Sequence, residues 1–142
     1  MTVENQYSVK VRWSEADPAG IVFYPRFFEW FDLSTEALFE SLGLPWPVMF
    51  PAYRIVGVPV VESGARFSSP VRYGDEVRIR TTVTDVREKT FRVEHEISIG
   101  ATHCATGFEV RAWVAVPETP GGPLHAKAIP EEVVVRLQRE DR

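Results

Sequence analysis

One carboxylate stands out for the company it keeps. Asp17 lies in the run Ser14-Glu15-Ala16-Asp17-Pro18-Ala19-Gly20-Ile21-Val22-Phe23-Tyr24-Pro25-Arg26. Proline fixes φ and glycine permits positive φ, so residues 17–20 predict a tight turn. Pro25 suits the first turn of a helix. The carboxylate is thus expected a few residues ahead of a helix N-terminus, where unpaired amides and the helix dipole supply partial positive charge. A thioester carbonyl lodged there would have its developing oxyanion stabilised by those amides. The carboxylate would then attack the carbonyl carbon or activate a water. Thiolate leaves readily, so no strong general acid is required. Aspartate before proline is also an ordinary turn residue, and the residues alone leave both readings open.

Other chemistries find no support. There is no Gly-x-Ser-x-Gly elbow, and the chain is too short for the hydrolase fold that carries one. Pro120-Gly121-Gly122-Pro123 lacks the lysine and the following helix of a phosphate loop. His95, His103 and His125 are scattered, and the adjacent pair His103-Cys104 does not make a metal site. No metal is expected. Cys104 would need a base to act as a nucleophile. His103 precedes it directly, and neighbours on a strand point to opposite faces.

The bulk numbers agree with a small soluble globular protein. The chain has 142 residues, which predicts a single domain over 1–142 with a tail from about residue 117. The formal net charge is -4, so nothing points to nucleic acid or an anionic membrane. An anionic ligand would have to be held by a few local cations. The single cysteine rules out an internal disulfide and suits a reducing compartment. No leader pattern and no long apolar run is present. A cytoplasmic location without membrane partners is the expectation.

Elements able to position Asp17 follow from the periodicities. Tyr7, Val9, Val11 and Trp13 alternate with polar residues, which predicts a half-buried strand over 7–13. From Phe27 to Leu42 apolar residues recur at three-to-four spacing, while Glu29, Asp32, Glu36 and Glu40 form a polar stripe. That predicts a helix over about 26–42, capped by Gly43. Residues 43–53 carry Pro45, Pro47 and Pro51 and read as an irregular loop. Strands are expected over 55–67, with Gly64 as a bulge, and over 77–86, 91–99 and 108–116. Residues 100–106 read as a turn, 117–123 as a linker, and 130–139 as a short amphipathic helix. The layout is α+β: one long helix against a five-stranded antiparallel sheet. A single helix leaves much of such a sheet uncovered, so self-association is expected.

The segment from Asp17 to Pro25 resembles the signature of 4-hydroxybenzoyl-CoA thioesterases of the Pseudomonas type. Trp30 and Asp32, Gly43-Leu44-Pro45, Ile55-Val56-Gly57 with Pro59, and Arg87-Glu88-Lys89-Thr90-Phe91 continue the likeness in register. It covers nearly the whole chain, is specific in the first third and fades after residue 100. The resemblance implies the hotdog fold, a homodimer assembling to a homotetramer, and hydrolysis of an aromatic or short acyl-CoA. Coenzyme A enters as part of the substrate, so no cofactor is implied. Asp17 matches the family's catalytic carboxylate, as nucleophile or general base. Tyr24 matches the residue whose backbone N–H polarises the carbonyl. Asp32 matches a contact to the ring hydroxyl, and equally reads as one member of the polar stripe. Trp30 and Val58 fall where substrate-pocket residues are expected; Val58 replaces a threonine, which makes that wall more apolar. Arg87 and Lys89 match positions that hold the CoA phosphates. Pro123 and His125 stand where arginines are expected, which directs attention to Arg26 or Arg66 as further cations.

Two other readings share these residues. Some hotdog thioesterases carry the base on the helix, which would nominate Glu29 or Asp32. A non-catalytic acyl-thioester or carrier-protein binding module would keep the fold without the chemistry.

Overall fold

In the computed structural model, which describes residues 3–138, alternating inward side chains build one antiparallel sheet. Its strands are β1 (Glu4–Lys10), β3 (Val60–Phe67), β4 (Glu76–Val86), β5 (Thr90–Ile99) and β6 (Thr102–Ala112), in the order β1-β4-β5-β6-β3. Val77, Ile79, Thr81 and Val83 of β4 face the core together with Phe91, Val93, His95 and Ile97 of β5. Helix α1 (Pro25–Ser41) lies against this inner face and buries Phe27, Trp30, Phe31, Ser34, Thr35, Leu38 and Phe39. That is the hotdog arrangement the resemblance implies. Burying one large apolar side chain of this kind contributes about 1.5–3 kcal/mol, so the aromatic stripe is the main tie between helix and sheet.

Both ends of α1 form as its sequence dictates. Pro25 opens it without needing an N–H partner. Gly43, at φ +75, lets the chain reverse, and the amide of Leu44 returns to the carbonyl of Phe39 at 2.9 Å. At mid-helix the ring of Phe31 lies on β6. A Cβ at Gly107 would sit 2.2 Å from that ring, so glycine is what allows the helix to come this close.

Several boundaries differ from the sequence expectations. The first strand ends at Lys10, not at residue 13, because its partner β4 begins only at Glu76, after the turn closed by the amide of Asp75 to the carbonyl of Arg72, and a single 3-10 turn (Trp13–Glu15) follows. Trp13 is therefore 76% exposed and rests edge-on against Tyr73 at the surface. The proline-rich loop contains a helix, α2 (Trp46–Tyr53): Pro45 and Pro47 fall at its start, where no N–H is wanted. The long strand splits at Val58-Pro59 into β2 (Ile55–Gly57) and β3. Gly64 pairs with Phe108 in regular register, and the irregularity lies between Val60 and Glu62. Thr102–Thr106 is strand, and the turn before it is confined to Gly100 and Ala101. β2 joins β7 (Val114–Ala115) and β8 (His125–Ala126) in a small second sheet. Helix α3 (Glu131–Gln138) forms as expected, and its predicted end at residue 139 lies outside the described residues.

Candidate active site

The turn at Asp17 is built by its own hydrogen bonds. Its amide donates to the carbonyl of Ile21 at 2.8 Å, and the amide of Gly20 donates to the carbonyl of Asp17 at 2.9 Å. Gly20 takes φ +81, which a side chain would disfavour. The carboxylate accepts the amide of Ala19 on Oδ1 at 2.9 Å. No cation pairs with it among the described residues. The returning limb is sewn to the segment just before β4, since Ile21 bridges Arg72 and the amide of Val22 donates to the carbonyl of Val71.

This limb leads straight into α1. The amides of Arg26 and Phe27 are taken by the carbonyls of Phe23 and Tyr24. The amide of Tyr24 has no partner among the described residues, and the residue is 61% exposed. Tyr24 also lines a cleft of about 320 Å³ with Ile21, Phe27, Phe67, Ser68 and Val71. Asp17 stands beside this cleft, one backbone hydrogen bond from Ile21, rather than on its wall. Tyr24 at the helix start thus lines an apolar opening, and the Asp17 turn is tied to its wall through Ile21.

Glu15 anchors the turn from below. It is buried, and its Oε1 accepts the amide of Arg12 at 2.8 Å while its Oε2 accepts the indole N–H of Trp30 at 2.9 Å. Its carbonyl receives the amide of Phe23. Trp30 is 1% exposed, so the substrate contact expected of it is corrected: it supports the turn from within the core. Val58 is likewise enclosed, packed with Leu38, Phe39 and Met49 rather than on the cleft described here.

The two helix carboxylates nominated as alternative bases are both engaged. Glu29 pairs with Arg26 at 3.1 Å. Asp32, 57% exposed, accepts Nη2 of the buried Arg111 at 2.6 Å. The same guanidinium donates to both oxygens of Glu109 and, through Nη1, to the carbonyl of Val58 at 2.9 Å. Glu109 Oε1 also receives the hydroxyl of Thr35 at 2.5 Å and faces Nε2 of His95 at 3.3 Å, whose Nδ1 meets Thr81 Oγ1 at 2.7 Å. Burial works to raise the Glu109 pKa, but hydrogen bonds from His95, the Arg111 charge and the Thr35 hydroxyl outweigh it and hold the carboxyl below its ordinary value. Sequence reading passed over this network. The signal for it was a set of polar residues (His95, Glu109, Arg111) at inward positions of otherwise apolar strands.

Arg87 and Lys89 are not brought to Asp17. They sit in the turn joining β4 to β5, whereas residues 11–22 contact the chain just before β4. The intervening strand of 11 residues spans roughly 35 Å. Arg87 is exposed and pairs with Asp85 at 2.9 Å. Arg66 lies on the outer face of the sheet, where it shares a shallow cleft with Arg92. Burial raises the pKa of Cys104, which opposes thiolate formation. No cluster of three or more metal-binding side chains occurs among the described residues. No described helix is long and apolar enough to cross a membrane.

Residues 11–137 match the thioesterase-like superfamily. The 4-hydroxybenzoyl-CoA thioesterase of Pseudomonas sp. strain CBS-3 is 33% identical over 90 residues, 63% of this chain and 64% of that enzyme. The matched segment therefore spans a little under two thirds of that relative. The solved structure of the enzyme from the same strain superposes with a TM-score of 0.85 at 27% identity, covering 94% of this chain and 98% of that one. A 1,4-dihydroxy-2-naphthoyl-CoA hydrolase of Synechococcus sp. strain WH7803 is 28% identical over 84% of this chain and 88% of its own length. The structure of a gentisyl-coenzyme A thioesterase gives a TM-score of 0.79 at 30% identity, over 94% of this chain and 98% of the other.

Proposed function

The chain belongs to the thioesterase-like superfamily, and from that premise we propose that it hydrolyses an aromatic acyl-CoA to the carboxylic acid and free coenzyme A. One observation carries the reading. Asp17, with which no cation pairs among the described residues, is held on a turn that leads to Tyr24, a residue lining an apolar cleft. The thioester carbonyl accepts the Tyr24 N–H, which stabilises the oxyanion as it forms. Asp17 either adds to the carbonyl carbon or takes a proton from the water that does. The C–S bond then breaks, CoA departs as thiolate, and hydroxyl from water ends on the acid. Glu29 and Asp32 are less suited to this task, since each already answers a guanidinium. The three relatives described above are named for hydroxylated aromatic acyl groups, which favours that substrate class.

The active unit in this reading is a homodimer, which can pair further to a tetramer. β3 is an edge strand, with Val60, Val61 and Phe67 exposed along it. Such an edge pairs readily with another chain. Two copies related by a two-fold axis through β3 run antiparallel. The Asp17 end of one subunit then meets the end of its partner that bears Arg87 and Lys89, which supplies the phosphate-binding cations a single copy keeps out of reach.

Thiol release measured over benzoyl-, 4-hydroxybenzoyl-, phenylacetyl- and short aliphatic acyl-CoAs tests the proposal. Turnover is expected with the aromatic thioesters. Asp17→Asn should lower kcat at least about a hundredfold, roughly 2.7 kcal/mol of barrier. Normal turnover by that variant would move the base elsewhere. No turnover with any thioester would return the chain to the binding-module reading.

A further inference from the structure

β5 and β6 slip out of register at one point. Ile97 pairs with Ala105 but Ser98 pairs with His103, so Cys104 is an extra residue on β6. A bulge of this kind bends the strand and re-aims the side chains beyond it. Strict alternation from the buried Ala105 would turn His103 inward. With Cys104 inserted, Cys104 and Ala105 are both buried and His103 is exposed. The carbonyl of Cys104 also accepts the amides of Ser68 at 2.8 Å and Ser69 at 3.1 Å, which fastens the end of β3 to the bulge.

His103 and Ser68 meet there. Ser68 Oγ lies 3.2 Å from Nδ1 of His103, and Nε2 of the same ring lies 3.0 Å from Thr106 Oγ1. Ser68 is also on the wall of the cleft that Tyr24 lines. Of the residues on that wall, only Tyr24, Ser68 and Ser69 carry a polar side-chain atom, and only Ser68 is hydrogen-bonded to an imidazole. When Thr106 donates to Nε2, the ring proton sits on Nδ1 and is donated to Ser68 Oγ. The Ser68 proton is then left with the carbonyl of His103 at 3.3 Å, longer than the usual O–H···O distance of about 2.7–2.8 Å. A better acceptor in the cleft would take it.

We propose that Ser68 is a catalytic residue for the departing sulfur and that His103 is the positioning residue that aims it. The inference rests on the thioesterase reading and deepens it. Sulfur is one bond from the carbonyl carbon, so the cleft that receives the carbonyl receives the sulfur as well. As the C–S bond breaks, its electron pair passes to sulfur. The Ser68 O–H swings from the His103 carbonyl and donates to the developing thiolate; the proton stays on Ser68, and the thiolate departs. A hydrogen bond to a charged partner is stronger than one to a neutral partner. The contact therefore stabilises the transition state more than the bound ester, which is what raises a rate.

The test varies the leaving thiol at a constant 4-hydroxybenzoyl group. A pantetheine thiolate keeps its charge on sulfur and needs the hydrogen bond, whereas 4-nitrothiophenolate spreads its charge into the ring. In Ser68→Ala the ratio of kcat/KM for the pantetheine thioester to that for the nitrothiophenyl thioester should fall at least about tenfold, about 1.4 kcal/mol. His103→Ala should lower the ratio similarly, and the double variant should be no worse than either, because the two act as a unit. Ser68→Thr restores a hydroxyl, and His103→Asn places an amide N–H where Nδ1–H stands; each should recover most of the ratio. Thermal unfolding checks that all variants fold. A ratio that stays native in Ser68→Ala, including equal losses on both thioesters, overturns this inference and leaves the hydrolase reading standing. A native chain that cleaves neither thioester sinks the hydrolase reading and this inference with it.

Discussion

The indole N–H of Trp30 reaches Glu15 across 2.9 Å inside the core and so fastens the turn that carries Asp17 to the middle of α1. Trp30→Phe keeps most of the ring volume but deprives a buried carboxylate of a donor, which should cost about 1–3 kcal/mol. Because Glu15 lies two residues before Asp17, the loss should also loosen the carboxylate. Urea unfolding and steady-state kinetics on the native substrate would show both effects: lower stability, and a fall in kcat that exceeds any change in KM. Full kcat in a destabilised variant would mean that Trp30 does nothing for the turn beyond packing.

Glu109 makes stability depend on acid. Its pKa is lowered in the folded chain because His95, Arg111 and Thr35 favour the carboxylate by more than burial opposes it. A lowered folded pKa means that the unfolded chain takes up the proton first. The stabilisation is thus complete above the unfolded value of about 4.3 and is lost as pH falls through the lower folded value. Glu109→Gln cannot take up that proton. Its melting temperature should be lower than that of the native chain at neutral pH and should fall less steeply between about pH 5 and pH 3. Parallel melting curves over that range would show that the acid response arises at other carboxylates.

What could be read from the residues divides along physical lines. Local patterns were enough for α1, for β4 and β5 and for the turn at Asp17, because period, proline and glycine act within a few positions. The first strand was overrun because Trp13 continued its alternation, yet its partner runs out where the turn at 72–75 precedes β4. α2 was hidden by prolines that break helices in the middle but suit their first turn. Trp30 and Val58 were misplaced for another reason: a family position says which residue matters, not whether it touches ligand or holds what does. The Arg111 network was out of reach because Asp32 and Arg111 are 79 residues apart, and only the packing of α1 against β6 brings them together.

Two glycines that look alike in sequence should respond differently to alanine. At Gly107 the added methyl would meet the ring of Phe31 at 2.2 Å, and Phe31 is fully buried and stacked on His95. Neither ring has anywhere to go, so Gly107→Ala should cost at least about 2 kcal/mol, near the upper range for overpacking. At Gly64 the methyl would meet Phe108 at 2.8 Å, but that ring lies on the outer face of the sheet and can swing away. Gly64→Ala should therefore cost less than about 1 kcal/mol. Chemical denaturation of the two variants gives the comparison. Equal losses would mean that the helix shifts along the sheet more freely than its buried aromatic stripe implies.

The composite site of the proposed dimer makes a demand that neither subunit could meet alone. Asp17 and the Arg87–Lys89 turn occupy opposite ends of one sheet, so each proposed site would draw its carboxylate from one copy and its cations from the other. Asp17→Asn removes the chemistry from every site, and Arg87→Ala with Lys89→Ala weakens CoA capture at every site. When the two inactive proteins are unfolded together and refolded at equal amounts, half the dimers are mixed. Each mixed dimer pairs one doubly damaged site with one intact site, which restores about a quarter of the native sites. Activity at substrate concentrations below KM should rise to that level from a baseline set by the separately refolded proteins. If carboxylate and cations acted within one chain, no intact site could form and the mixture would stay at the average of its parts.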